Sequence, residues 1–270
     1  MAEKGRVCVT GAGGYVASWL VKLLLSNGYT VHGTVRDPHD EKNAHLMKFE
    51  KASENLKLFK VDLLDRSSVS AAIKGCDGVF HVASPVPPGS VPNPEVQLIE
   101  PAVKGTLNVL EESSEANVKR VVFVSSAAAV SMNPAWPEGQ VKDEACWSDK
   151  EYCRKTNNWY CLSKTEAESE ALEFAKRSGL DVVRVCPTHV LGPKLQSSTN
   201  ASILVLIKLL KGYLWCRGLP TFKIRESVVF ECKLPLFFKE VFREFQVTKE
   251  EPCWYQGRCQ LLFQLILQFK

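Results

Sequence analysis

The sequence predicts an α/β fold built on an open, doubly wound parallel sheet, and three observations predict it. Six short runs rich in Val, Leu and Phe recur at Arg6–Thr10, Tyr29–Arg36, Leu56–Asp62, Gly78–Ala83, Val118–Ser125 and Asp181–Cys186, each separated from the next by a segment that can be helical. Strands alternating with helix-length connections pair in parallel, because each crossover brings the chain back to the same edge. A glycine-rich stretch, Gly11 to Gly14, falls at the first strand-to-helix junction. Five prolines between Pro85 and Pro94 end the fourth run and send it into an extended loop at its carboxyl end, the edge at which such sheets bind ligands.

The helical elements follow from apolar spacing and stop signals. Trp19–Ser26 carries Trp19, Leu20, Leu23 and Leu24 as a stripe ended by Asn27 and Gly28, and Glu95–Ala116 repeats the period. A later helix opens at Tyr160, buries Ala167, Ala171 and Phe174, and stops at Gly179. Composition changes after Gly212: Tyr213–Lys270 holds no alanine against 19 before it, and eight of the 13 phenylalanines. Its apolar runs, Leu234–Phe238 and Leu261–Phe269, follow neither a helical nor a strand period. The chain therefore divides at about Gly212 into a strand–helix unit over 1–212 and a tail over 213–270 of different composition.

A chain of 270 residues with 45% hydrophobic and 24% charged content is long enough to bury a full core, which excludes disorder, collagen and a small disulfide scaffold. The formal charge of +4 is spread along the chain without a basic block, so no nucleic-acid or membrane partner is expected. No apolar stretch reaches membrane-spanning length; Ile203–Leu210 comes nearest and Lys208 interrupts it. Met1–Arg6 is polar and runs straight into Val7–Thr10, leaving no room for a secretory leader, so the ten cysteines read as reduced and the location as cytoplasmic.

The chemistry-bearing residues gather at strand ends. Thr10-Gly11-Ala12-Gly13-Gly14-Tyr15-Val16 would place backbone amides and a helix N-terminus against a pyrophosphate, with small Ala17 letting the helix pack on the strand; a plain turn is the alternative. Arg36 ends the second run and Lys42 follows, a pair suited to a ribose 2′-phosphate and hence to NADP(H), whereas Asp37 would suit NAD. Asp62, after the third run, is placed for an adenine edge or an ordinary turn. Tyr160 and Lys164 lie four apart on one helix face, where an ammonium close to a phenol lowers the phenol pKa and can also grip the nicotinamide ribose. Ser125 and Ser126 end the fifth run on the same edge and can polarise a substrate carbonyl or cap a turn. His81 and His189 read as packed or hydrogen-bonded side chains, no residue cluster has metal-site spacing, and Cys153 and Cys161 read as buried thiols.

These motifs resemble the extended short-chain dehydrogenase/reductases, in particular the plant cinnamoyl-CoA reductase, dihydroflavonol reductase and tetraketide pyrone reductase group. The resemblance runs from Lys4 to about Gly212, and Asn133-Pro134-Ala135-Trp136-Pro137, Asp143 to Asp149 and Asn158-Trp159-Tyr160-Cys161 are similar to the cinnamoyl-CoA reductase branch. It implies a Rossmann-type NAD(P)-binding domain over 1–212 with the substrate lobe truncated or replaced by a divergent tail over 213–270, a catalytic set of Ser126, Tyr160 and Lys164, and an aromatic carbonyl or CoA-thioester substrate. It further implies NADP(H) contacts at Thr10 to Val16, Arg36, Lys42, Asp62, Leu63, Val82, Ala83, Ser84, Tyr160, Lys164, Pro187, Thr188, His189, Val190 and Ser202. Two departures stand out. Leu162-Ser163 replaces the Tyr-Gly usual before the lysine in that branch, and Tyr213–Lys270 lacks the family's Val-Asp-Val-Arg-Asp-Val-Ala type strand, which reads as a retained intron or a shifted frame. Three functional readings follow: a phenylpropanoid-type NADPH-dependent reductase, a catalytically incomplete NADP-binding paralogue or splice product, and a nucleotide-sugar epimerase or dehydratase, against which Arg36 argues.

Overall fold

A computed structural model describes residues 4–86, 91–137, 140, 146–188, 190 and 192–210. The tail over 213–270, His189 and Asp143 to Ala145 lie outside the described residues. Six strands, β1 (Arg6–Val9), β2 (Thr30–Val35), β3 (Leu56–Lys60), β4 (Gly78–His81), β5 (Arg120–Val124) and β6 (Val182–Val185), form one sheet in the order β3-β2-β1-β4-β5-β6. Every pairing is parallel, and Val9 of β1 stands opposite Gly33 of β2 and Phe80 of β4. The chain order reverses between β1 and β4, so the carboxyl ends of these two strands flank the crevice of a doubly wound sheet.

The strand period sorts the core into two layers. Val7 and Val9 of β1, Phe80, Val122 and Val124 face a cluster filled by Leu20, Val21, Leu24 and Leu25 of α1 (Tyr15–Ser26). Cys8, Val79, Val121 and Phe123 point the other way. There they meet Val69, Ala72 and Ile73 of one helix, Val109 and Leu110 of a second, and Ala167 and Ala171 of a third. The sheet is thus buried on both faces, which is why its strands read as near-continuous apolar runs.

The remaining helices are α2 (Ala52–Asn55), α3 (Arg66–Ile73), α4 (Glu100–Glu115), α5 (Ala128–Ser131), α6 (Lys150–Lys155), α7 (Trp159–Ser178) and α8 (Ala201–Leu210). Two differences from the sequence expectation have physical causes. The β2–β3 connection is not a regular crossover helix but two single 3₁₀ turns, Glu41–Asn43 and Leu46–Lys48, followed by the one-turn α2. There Asp37 and Asp40 use their carboxylates to accept backbone N–H bonds from His39 and Lys42, local bonds that compete with helix. The helix expected from Glu95 begins with a π-helical turn, Glu95–Ile99, with Pro101 in the first turn of the α4 that follows. Helix α7 starts where the Asn158 side chain accepts from the Cys161 N–H (3.3 Å) and ends at Gly179, whose φ of +74° an L side chain adopts only with strain. Among the described residues, no helix is long and apolar enough to cross a membrane.

Candidate active site

The glycine turn sits at the carboxyl end of β1, tied to β2 through the Gly11 N–H to Thr34 Oγ1 (3.1 Å) and the Ala12 N–H to the Thr34 carbonyl (2.9 Å). Gly11 has φ +65°, and a Cβ there would lie 3.0 Å from the Ala83 Cβ and 3.2 Å from its Cα. The β1 turn and the segment after β4 therefore approach closely only because position 11 has no side chain. Gly14 is the N-cap of α1 and brings no capping side chain, and the first turn holds no acidic residue. That helix end is left suited to an anion.

A chain of buried hydrogen bonds holds the facing wall. Thr106 Oγ1 donates to the Ala102 carbonyl (2.8 Å) and so must accept from His81 Nε2 (3.2 Å), leaving His81 Nδ1 to accept from Thr10 Oγ1 (3.0 Å). Thr10 Oγ1 in turn accepts from the N–H groups of Val82 and Ala83, each at 3.0 Å. One imidazole thus links the glycine turn, the β4 loop and α4. Its proton affinity falls to a pKa of about 3, burial being the main cause and the nearby Lys164 charge the second. The sign follows: the folded value lies below the ordinary 6.5, so the unfolded chain binds the extra proton and stability is lost as pH falls below that value. Chemical denaturation of the wild type is expected to lose about 1.4 kcal/mol per pH unit of acidification in that range from this group alone. His81→Gln should flatten that limb, and an unchanged limb would show that another group carries it.

At the end of β2, Arg36 is exposed, while Lys42 pairs with Asp40 (2.5 Å) in a contact open to solvent. Asp37, the acidic alternative, accepts the His39 N–H (2.9 Å) and holds Asn43 Nδ2 on its carbonyl (2.9 Å). Sequence reasoning did not single out Asn43. Its Oδ1 would lie 2.1 Å from a Cβ on Gly13, so the segment after β2 can approach the glycine turn this closely only because position 13 has no side chain. His45 ties the same segment to α1, its Nδ1 donating to the Lys42 carbonyl (2.9 Å) with Nε2 2.8 Å from Ser18 Oγ. No local signal in the sequence could have shown either contact.

The other expected cofactor positions line the same edge. Asp62 is exposed after β3 and closes a turn by accepting the Leu64 N–H (3.0 Å); the Leu63 carbonyl accepts from Asn108 Nδ2 (2.7 Å). Val82, Ala83 and Ser84 are half-buried beside Gly11. Beyond β6, the Pro187 carbonyl accepts the Ala127 N–H (2.8 Å), Thr188 is exposed, and the Val190 N–H donates to Ser202 Oγ (3.3 Å). Trp19 Nε1 donates to the Pro193 carbonyl (2.9 Å), which folds this segment back over α1.

Ser126 follows β5 and is half-buried, its Oγ accepting from the Ala128 N–H (3.1 Å) and interacting with the phenol of Tyr160. Ser125 turns the opposite way, buried, and donates to Glu168. Tyr160, Lys164 and Glu168 form one stripe along α7. The expected lowering of the phenol by Lys164 is not what the protein alone shows. Burial pushes the Tyr160 phenol up, and the force pulling it back is hydrogen bonding to Ser126. Lys164 is itself nearly fully buried, and burial depresses its ammonium to a pKa of about 8. Tyr160 is therefore a neutral donor at neutral pH, with a mostly protonated lysine one turn away.

Residues 7–215 match the NAD dependent epimerase/dehydratase family. The chain belongs to that family. The fold of this chain is similar to that of vestitone reductase from alfalfa (TM-score 0.67, 38% identity, covering 76% of this chain and 64% of that one). Yeast methylglyoxal/isovaleraldehyde reductase complexed with NADPH matches at TM-score 0.67 and 28% identity, covering 76% of this chain and 66% of that one. Cinnamoyl-CoA reductase 1 of Petunia hybrida is 56% identical over 206 residues, 76% of this chain and 60% of the relative. This family member thus spans less than two thirds of the length of such relatives.

Proposed function

We propose that the chain is built as an NADPH-dependent reductase of a phenylpropanoid-type CoA thioester or carbonyl. The observation that carries the reading is the convergence of Ser126, Tyr160 and Lys164 on the sheet edge that holds the Gly11 turn and Arg36. The similarity to cinnamoyl-CoA reductases and to an NADPH-complexed reductase supports it. The residues present fit the cofactor: a side-chain-free cradle at Gly11, an uncapped helix end at Gly14 and an exposed guanidinium at the end of β2. When bound, NADPH supplies the hydride. Gly11 to Val16 would hold the pyrophosphate, Arg36 and Lys42 the 2′-phosphate, Asp62 and Leu63 the adenine end, and Val82 to Ser84 with Pro187 to Val190 and Ser202 the nicotinamide end. Ser126 would donate to the substrate carbonyl oxygen, Tyr160 would hand it a proton, and Lys164 would orient the ribose.

In this reading 1–212 is the cofactor domain and 213–270 a divergent tail. A second reading, a cofactor-binding form without turnover, rests on the composition of 213–270, which holds no alanine and follows neither a helical nor a strand period. Five of the six free cysteines described are buried, which suits a reducing, cytoplasmic setting.

The first test is cofactor choice. Charge-assisted contacts to a phosphate are worth roughly 1.5–3 kcal/mol each, or about ten- to a hundredfold. Fluorescence titration should show NADPH binding more tightly than NADH, and Arg36→Ala should remove most of that preference. Equal affinities in the wild type would refute the assignment.

A further inference from the structure

Behind the stripe of Tyr160 and Lys164 lies a buried carboxylate that the catalytic reading does not use. Glu168 is fully buried and accepts hydrogen bonds from Ser125 Oγ, from the Arg184 guanidinium and from Cys186 Sγ (3.5 Å). Arg184 belongs to β6 and Ser125 follows β5, so one side chain of α7 ties together the carboxyl ends of two strands. The guanidinium also lies 5.3 Å from the ring centroid of Trp147. Resting on the reductase reading, we propose that Glu168 is a positioning residue whose buried carboxylate keeps the Lys164 side chain charged and, through Ser125, sets the strand end that carries Ser126.

The charge argument is specific. A buried carboxylate is costly unless paired and hydrogen-bonded, and Glu168 has both. The groups that face Lys164 are Tyr160 and Glu168 on its own helix, Cys186 after β6 and His81 at the end of β4. Burial pushes the Cys186 thiol up to about 12 and the His81 ring down to about 3, so both are uncharged near neutrality. Tyr160 is uncharged there too. Glu168 is left as the anion that offsets the burial of Lys164, and it lies one helical turn away. Glu166, on a different face of α7, is paired with Lys150 and Arg154 instead.

The test reads Lys164 directly, in the full chain. NMR titration of protein labelled at lysine Cε, with the Lys164 signal assigned from its loss in Lys164→Arg, gives the midpoint without cofactor or turnover. Glu168→Gln should lower that midpoint by one pH unit or more, and the alkaline decline of NADPH affinity should move down with it. Glu168→Asp, which keeps the charge, should restore both. Glu168→Gln leaves Arg184 unpaired, so the double variant Glu168→Gln/Arg184→Met keeps the question answerable if the single variant does not fold. Cys186 keeps its proton over the range in which Lys164 titrates, so Glu168 is the anion lost in the double variant and the midpoint should fall there as well. A folded variant of either kind with an unmoved Lys164 midpoint overturns the proposal. Undiminished NADPH affinity in Lys164→Met would instead overturn the reductase reading, a separate outcome, because the midpoint is measured in the absence of cofactor.

Discussion

Tyr160→Phe is expected to lower kcat by roughly 10²- to 10⁴-fold, the usual contribution of a positioned general acid, while NADPH affinity changes little. The variant removes one oxygen and leaves the ring in place. Tyr160 is half-buried, its phenol is pushed up so that it carries its proton at neutral pH, and Ser126 faces it. The measurement belongs in a chimera that joins the C-terminal region of a full-length relative after Gly212, assayed with NADPH and an aromatic enal thioester. There the tail is supplied and the effect of residue 160 stands alone. Near-full turnover by the phenylalanine variant would make Tyr160 a packing residue and remove the mechanism.

Gly11→Ala is expected to abolish measurable dinucleotide binding, and a paired control separates its causes. Gly11 and Gly28 both have positive φ, +65° and +83°, so alanine at either costs about 1–2 kcal/mol of backbone strain. For a domain of this size that corresponds to a Tm lower by roughly 2–8 °C in both variants. Only at Gly11 does the added carbon meet a neighbour, the backbone and Cβ of Ala83; at Gly28 nothing lies within 4 Å. Displacing Ala83 disturbs the amides that Thr10 holds and narrows the crevice between β1 and β4. Cofactor titration after thermal melting should therefore show Gly28→Ala binding normally and Gly11→Ala not at all. Retained binding by Gly11→Ala would mean that the turn is not the pyrophosphate cradle.

The features legible in the sequence are the ones that local chemistry dictates. The runs rich in Val, Leu and Phe became strands within one or two residues of their expected ends, because burial on both faces demands near-continuous apolar residues. Asn27 and Gly28 stop α1, and Gly179 stops α7, since left-handed backbone after a helix favours residues with little or no side chain. The shared face of Tyr160 and Lys164 needs only the helical period.

How the β2–β3 connection seats on the rest of the fold was not legible, because that depends on residues distant in the chain. Asn43 is shaped by Gly13, and His45 by Ser18. The lowered phenol expected from the Tyr160–Lys164 spacing also failed, since spacing carries no information on how deeply the pair is buried.

By itself, then, the sequence determined the parallel sheet, the glycine turn, the charged strand end and the tyrosine–lysine stripe, each set by interactions within a few residues of the chain. Tertiary structure alone decided which tautomer His81 holds, that Ser125 donates to Glu168, and that Arg184 is the partner of Glu168. Those pairings join residues 16 to 71 positions apart, and their strength depends on exclusion of water, which exists only once the sheet and its helices have closed around them.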